Sequence, residues 1–162
     1  MTHSELVDRA GIWLKNTFNC RVVLKELVAY TRYGETPDVI GWIGNRSILV
    51  ECKTSVADYR KDLKKVFRYG ARGLGNYRFY LTGPDLLKSE ELLEGWGLYE
   101  AHGKKFKYVK GIEYKNAQVP PFKSDRDSEV AMLVSALGRK RRKEDNSNSK
   151  SGHWSCGEIK AL

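Results

Sequence analysis

A proline–aspartate pair, Pro37-Asp38, and a Glu-x-Lys tripeptide, Glu51-Cys52-Lys53, are the residues of this chain best suited by type and spacing to do chemistry. Asp38-Val39-Ile40-Gly41-Trp42-Ile43 reads as a strand running into the turn dipeptide Gly44-Asn45, and Ser47-Ile48-Leu49-Val50-Glu51-Cys52-Lys53 resumes as a second apolar, β-rich run. Side chains alternate along a strand, so Glu51 and Lys53 share one face while Val50 and Cys52 share the other. If the two runs pair as a hairpin, Asp38 at the start of one lies near the end of the other, and two carboxylates meet one ammonium. Such a cluster suits metal-assisted phosphodiester cleavage. Magnesium prefers one or two carboxylates, keeps several waters and accepts phosphate oxygens; a nearby ammonium neutralises charge that develops in the transition state. The competing reading is a surface hairpin with an ordinary Glu-x-Lys pair. Leu49 and Val50, abutting Glu51, weigh against it, because a carboxylate beside an apolar run needs a partner and a metal supplies one.

On these residues the chain resembles the PD-(D/E)xK nuclease superfamily, whose motif stands here as Pro37-Asp38 and Glu51-Cys52-Lys53, and the likeness extends over roughly residues 4–82. Within the superfamily it looks most like the small MmcB-type DNA repair proteins, through Thr54-Ser55, Asp58-Tyr59-Arg60, Asp62, Lys65 and Tyr69; Holliday-junction resolvases are a more distant likeness. The resemblance implies an α/β fold with a restriction-endonuclease-like mixed β-sheet core flanked by helices, and cleavage of nucleic acid with magnesium or manganese. It implies Asp38 and Glu51 as metal ligands, the backbone carbonyl of Cys52 as a third oxygen, and Lys53 as the group that orients or activates water. A further acidic residue commonly joins such sites. Glu26, a charge inside an apolar strand, and Glu5, near the start of the first helix, compete for that role. Lys65 and Tyr69 are the residues of the following helix best placed to complete the site. Small chains of this kind are often dimers, yet no heptad or apolar interface helix argues for a homodimer here.

The elements that must position these residues follow an α/β order. Ser4 reads as an N-cap, followed by a helix whose apolar face is Leu6, Val7, Ala10, Ile12, Trp13 and Leu14. A strand is expected over residues 21–30, a turn over 33–37, and then the hairpin carrying the motif. Ser55 caps a second helix with Tyr59, Leu63, Val66, Phe67 and Gly70 at helical spacing and Arg60, Lys61, Lys64, Lys65 and Arg68 on its other face. That cationic face, with Tyr69, is a candidate grip on phosphates, weighed against an ordinary solvated helix surface. A strand over 77–81, a short helix over 90–93, a hairpin of residues 97–101 and 105–109 around Gly103, and a last helix over 127–137 complete a domain spanning 1–138. Residues 139–162 read as a basic, disordered tail, with Arg139, Lys140, Arg141 and Arg142 as further DNA-binding candidates.

Charge and composition set the frame. The chain of 162 residues has a net charge of +9 and is 41% hydrophobic, ordinary for one folded domain. Residues 139–162 hold seven Lys/Arg against three Asp/Glu, which leaves +5 on residues 1–138. This balance favours a polyanionic partner, and DNA is the expected one. No apolar run is long enough to span a membrane, and the first residues lack a secretory pattern. Cys20, Cys52 and Cys156 read as reduced thiols of a cytoplasmic protein without zinc-ligand spacing, and His3, His102 and His153 as too scattered to form a cluster. The expected activity is therefore a magnesium-dependent deoxyribonuclease. The alternative is a module that keeps the fold and binds DNA but recruits or regulates another DNA-processing protein.

Overall fold

A computed structural model of the chain describes residues 1–114 and 119–150. The fold is mixed α/β. Helix α1 (His3–Phe18) leads into strands β1 (Val22–Lys25), β2 (Val39–Ile43) and β3 (Arg46–Lys53), then helix α2 (Val56–Asp62), strands β4 (Tyr77–Thr82), β5 (Gly97–His102) and β6 (Lys105–Gly111), and helix α3 (Arg126–Lys150). The six strands form one sheet in the order β1-β2-β3-β4-β5-β6. The β3–β4 and β4–β5 pairs are parallel and the other three are antiparallel. Among the described residues no helix is long and apolar enough to cross a membrane.

The central strands read as continuous apolar runs because both of their faces are covered. On one face α1 lays Leu6, Val7, Ala10, Trp13, Leu14 and Phe18 against the side of the sheet that carries Val50, Cys52, Phe79, Leu81 and Tyr99. On the other face, Leu49, Tyr80 and Leu98 lie under Tyr59 of α2 and under Leu87 and Trp96 of the β4–β5 connection. Beside them Ile40 and Trp42 pack with Met132 of α3. A buried carboxylate pins α3 there: Glu129 accepts hydrogen bonds from Trp42 Nε1 (3.2 Å), Ser47 Oγ (2.6 Å) and the Gly75 backbone N–H (3.0 Å). Gly75 has a φ of +83° and its missing Cβ would stand 2.6 Å from Leu49 Cβ, so both conformation and close approach require glycine.

Four expectations are corrected. The first helix is capped by Thr2 rather than Ser4, in a reciprocal capping box with Glu5. The strand over residues 21–30 stops at Lys25, since Glu26 takes a left-handed φ of 45° and turns the chain away. The basic helix does not run to Gly70. It ends at Asp62, and short 3-10 turns follow at Val66–Arg68 and Gly70–Arg72. Arg78, wholly buried on β4, holds the segment that follows. Its five guanidinium hydrogen bonds go to the carbonyls of Phe67, Arg68, Gly70, Gly73 and Gly75 at 3.0–3.3 Å, so this segment wraps the cation. Phe122 covers the guanidinium 4.0 Å from its ring centroid. Finally, α3 continues through Gly138 to Lys150, where composition alone reads as a disordered tail. Arg, Lys and Glu are good helix formers, and Lys140–Glu144 and Arg141–Asp145 pair at i,i+4. Low hydrophobicity there reports an unburied helix, not the lack of one. Residues 151–162 of the expected tail, with His153 and Cys156, lie outside the described residues.

Arg78 generates the first prediction. Lysine carries three donors on a point charge and cannot serve five carbonyls spread around a planar fork. Arg78→Lys is expected to lose about 3–5 kcal/mol of stability by urea unfolding, because several buried carbonyls lose their partner together. A loss below about 1 kcal/mol would show that the 67–75 segment holds its shape without the cation.

Candidate active site

Asp38 precedes β2, and β2 pairs with β3 so that Val39 faces Val50. One step further along the ladder, the Asp38 carboxylate reaches β3: its Oδ2 accepts the Cys52 backbone N–H at 2.7 Å. The Cys52 side chain turns to the α1 core, where burial pushes its thiol pKa well up, so this residue meets the site through its backbone only. Glu51 and Lys53 turn to the opposite face, and both are buried.

There they join a network of buried charge. Glu51 Oε2 lies 2.7 Å from Arg68 Nη2 and 3.2 Å from Lys53 Nζ. Lys53 Nζ is also 3.5 Å from Asp62 Oδ1. Arg68 spends its fork on three carboxylates: Nε and Nη2 on Asp62 at 2.7 and 2.8 Å, Nη1 on Glu35 at 2.7 Å, and Nη2 on Glu51. Glu35 returns to the backbone by accepting Leu74 N–H at 2.7 Å. Asp62 further accepts Tyr80 O–H at 3.0 Å and meets Lys65 Nζ at 2.8 Å. Against this crowd of partners one atom stands out. Glu51 Oε1 is buried and has no hydrogen-bond partner among the described residues. A buried carboxylate oxygen without a donor is costly, and a native structure that keeps one requires a reason.

The electrostatics agree with that geometry. Burial, then the charge of Glu51, raises the Asp38 pKa from 3.8 to about 6. Burial raises Glu35 to about 7 despite Arg68. Burial also works against a charge on Asp62, but the hydrogen bonds and charge of Arg68 hold it below the usual carboxylate range. Burial disfavours the Lys53 ammonium, yet Glu51, Asp62 and Asp38 outweigh it and raise its pKa, so Lys53 stays protonated at neutral pH.

The structure sorts the remaining candidates. Glu26 lies at the exposed edge of the cluster: its N–H donates to Asp38 O at 2.9 Å, and His3 Nε2 sits 3.5 Å from both Glu26 Oε1 and Asp38 Oδ1. Glu5 is spent on the capping box, where hydrogen bonds from Thr2 lower its pKa. Arg60, Lys61 and Lys64 are exposed, Arg60 pairing with Glu91 at 3.2 Å. Tyr69 is exposed and donates to Leu63 O at 2.8 Å. Arg68 is corrected outright: it is enclosed by carboxylates and unreachable by a phosphate backbone. Arg139, Lys140, Arg141 and Arg142 stand exposed on the outer part of α3. Sequence reasoning missed His3, Glu35 and the role of Arg68. Glu35 stands inside the expected turn and gives no periodic signal, while His3 meets Asp38 only through the pairing of β1 with β2 and the docking of α1.

The donor set suits a hard divalent cation held by few protein ligands. Asp38 and Glu51 are close enough to raise one pKa by the charge of the other, and Glu51 keeps a partnerless oxygen. Among the described residues no group of three or more His, Cys, Asp or Glu side chains is placed to hold one metal ion, so the remaining positions of such an ion would fall to backbone, water or substrate.

No protein-family model and no curated protein matches the chain. Among solved structures it is similar to a protein of unknown function from Silicibacter pomeroyi, with 21% identity over 97% of this chain and 99% of that one and a TM-score of 0.57. At this identity the likeness speaks for the fold alone.

The raised Asp38 pKa gives a signed expectation. The folded state binds the proton more tightly than the unfolded state, so stability is fully present below about pH 4 and falls as pH rises through about 6. An asparagine in place of Asp38 does not titrate and can still accept the Cys52 N–H. In chelator, Asp38→Asn is therefore expected to be neutral at pH 4 and stabilising by roughly 1–3 kcal/mol at pH 7.5. Urea unfolding at both pH values checks this, and an equal effect at the two would show that Asp38 is not strained by its own charge.

Proposed function

We propose that this chain is a magnesium-dependent DNA phosphodiesterase of the PD-(D/E)xK type. The observation that carries the reading is the partnerless, buried Oε1 of Glu51 in a carboxylate also held by Arg68 and Lys53, with Asp38 beside it. A divalent cation held by Asp38 and Glu51 would supply Lewis-acid polarisation of a phosphodiester and water of lowered pKa.

The chain's own residues divide the remaining work. Arg68 takes Glu51 Oε2 and so fixes the carboxylate with Oε1 turned away from its own cations. Lys53 keeps its proton, so it acts as a fixed positive charge beside the developing negative charge of the phosphate and not as a proton acceptor. Asp38 loses its proton near pH 6 and is then a ligand at neutral pH. Glu26 and His3 at the mouth are placed to meet water or substrate before it reaches Asp38. The site stands at the carboxyl end of β3, beside the ends of the parallel strands β4 and β5, the edge where open α/β sheets bind their ligands.

One observation favours the second reading, a binding module that recruits a DNA-processing partner. Lys53 and Arg68 neutralise Glu51 and Asp62 so fully that the same network could serve as a purely structural core. Activity separates the two. Purified protein is incubated with labelled duplex, single-stranded and branched DNA in magnesium, manganese or chelator, and the best substrate is taken to single turnover. Lys53→Ala is expected to cut at least about a hundredfold more slowly, about 2.7 kcal/mol of transition-state stabilisation, with Lys53→Arg rescuing only in part. Equal rates for wild type and Lys53→Ala would place any activity elsewhere, and tight DNA binding without cleavage would make the recruiting module the better account.

Metal binding is checked by calorimetric titration of manganese. Asp38→Ala is expected to lose most of the affinity, and Lys53→Ala to keep it. Wild-type affinity is expected to fall about tenfold from pH 7 to pH 5, as Asp38 takes up its proton in competition with the metal. Unchanged affinity in Asp38→Ala removes the metal site.

A further inference from the structure

The β5–β6 hairpin carries basic side chains that the site above does not use. It turns at Gly103, whose φ is +51°, and bears His102, Lys104, Lys105, Lys107 and Lys110. Strand register sorts them. Lys53 pairs with Thr82, Thr82 with Glu100, Glu100 with Lys107, and His102 with Lys105. Register partners on neighbouring strands share a face, so His102, Lys105 and Lys107 stand on the same face of the sheet as Glu51 and Lys53. The intervening Tyr99, Ala101 and Phe106 turn to the α1 core instead. These basic side chains also stand at the same end of the sheet, where β3, β4 and β5 finish and β6 begins. The separation from β3 to β6 is three strand spacings, about 14 Å.

A buried carboxylate builds this patch. The Glu100 side chain is 5% exposed; its Oε2 accepts from His102 Nε2 at 2.8 Å and lies 3.9 Å from Lys107 Nζ, and its Oε1 accepts the Asp85 N–H at 3.0 Å. Burial works to raise its pKa, but the hydrogen bonds from His102 and Asp85 outweigh it, so Glu100 stays ionised. It steadies His102 and Lys107 from beneath while their outer surfaces stay open to solvent, 40% and 65% exposed. Lys105 is exposed and has no carboxylate partner among the described residues.

We propose that this hairpin is a wall of the substrate groove that grips the phosphate backbone of a nucleic-acid strand through Lys105, Lys107 and His102. The inference deepens the phosphodiesterase reading and rests on it for the position of the scissile phosphate at Glu51 and Lys53. One DNA strand carries a charge about every 3.4 Å of helix axis, so 14 Å spans about four nucleotides between the reacting phosphate and the wall. Lys107 closes the register row that starts at Lys53, and Lys105 with His102 forms the next row outward, so exposed basic groups face a polyanion at this end of the sheet; a nucleic acid is chosen over an acidic peptide because the phosphodiester at Lys53 belongs to one.

Binding in chelator tests the proposal without cleavage. Fluorescence anisotropy of labelled duplex DNA is followed over a potassium chloride series for wild type, for Lys105→Ala/Lys107→Ala, and for Lys15→Ala/Arg21→Ala. The last pair removes the same charge from exposed positions at the end of α1 and just beyond it, away from the hairpin face. The hairpin double variant is expected to bind about tenfold more weakly at 0.1 M salt, with a log–log salt slope smaller by about 1.8, the value for two lost phosphate contacts. The α1 pair is expected to stay within about twofold of wild type. Equal losses in the two pairs would mean that only net charge matters and would overturn the wall. Unchanged binding by the hairpin variant would overturn it as well, as would displacement of DNA by polyglutamate at the same charge concentration as by unlabelled DNA. The two readings fail separately. A hairpin-dependent salt slope in a protein that cuts nothing in magnesium sinks the phosphodiesterase and keeps the wall. Cleavage with the same KM in wild type and hairpin variant sinks the wall and keeps the phosphodiesterase.

Discussion

Three carboxylates converge on one guanidinium, and the candidate site is organised around that contact. Glu35 arrives from the loop before β2, Glu51 from the end of β3 and Asp62 from the end of α2, each 2.7 Å from Arg68. Without the cation, buried carboxylates from three distant segments would face one another. At 4 Å and an effective dielectric near 20, each such repulsion is about 4 kcal/mol, comparable with the whole stability of a small domain. Arg68 therefore fixes both the position of α2 against the sheet and the orientation of Glu51. It reaches its partners from a 3-10 turn, and Arg78 holds the Phe67 and Arg68 carbonyls of that turn. One buried arginine shapes the loop from which the other works.

The charge of the cluster is close to balanced, with one exception. Lys53, Lys65 and Arg68 stand against Glu35, Glu51 and Asp62, while Asp38 lies on the outer side with a pKa raised by burial and by Glu51. The Asp38 carboxylate therefore stands on the outer side of the cluster, within electrostatic reach of Glu51, whose Oε1 has no donor among the described residues. A cation arriving there meets two carboxylates that already repel each other. That is a different situation from a closed ion-pair core, in which each oxygen has a donor.

The convergence of Asp38, Glu51 and Lys53 was legible in the sequence because strand alternation and a short turn suffice to bring them together. The mixed α/β sheet flanked by helices was legible for the same reason: long apolar runs over 47–53 and 77–82 belong to strands buried on both faces. What sequence could not give was the fate of buried polar residues. Arg68 sits at helical spacing from Lys61, Lys64 and Lys65, so pattern alone puts it on the solvent face, and only tertiary contact with Glu35 and Asp62 turns it inward. Arg78 inside the apolar run Tyr77–Thr82 looks like an interruption until the loop around it is seen. Polarity misled in the opposite direction beyond Gly138, where a charged stretch without a core to face still forms helix.

Buried charge of this density is a poor way to hold a domain together. Desolvating several ions costs more than packing apolar side chains of the same volume, and replacing buried ion pairs by hydrophobic residues is often neutral or stabilising. The opposite face of the same sheet shows the cheaper solution: Trp13, Phe18, Phe79 and Tyr99 fill it with rings and no ionised group. One sheet thus carries an apolar core on one side and, on the other, apolar clusters with an ion network set among them where the parallel strands end. Stability alone gives no reason for that asymmetry, and an orphaned carboxylate oxygen adds to its cost. A ligand that met Glu51 at that oxygen would supply the missing partner, and that is what the proposed site asks of it.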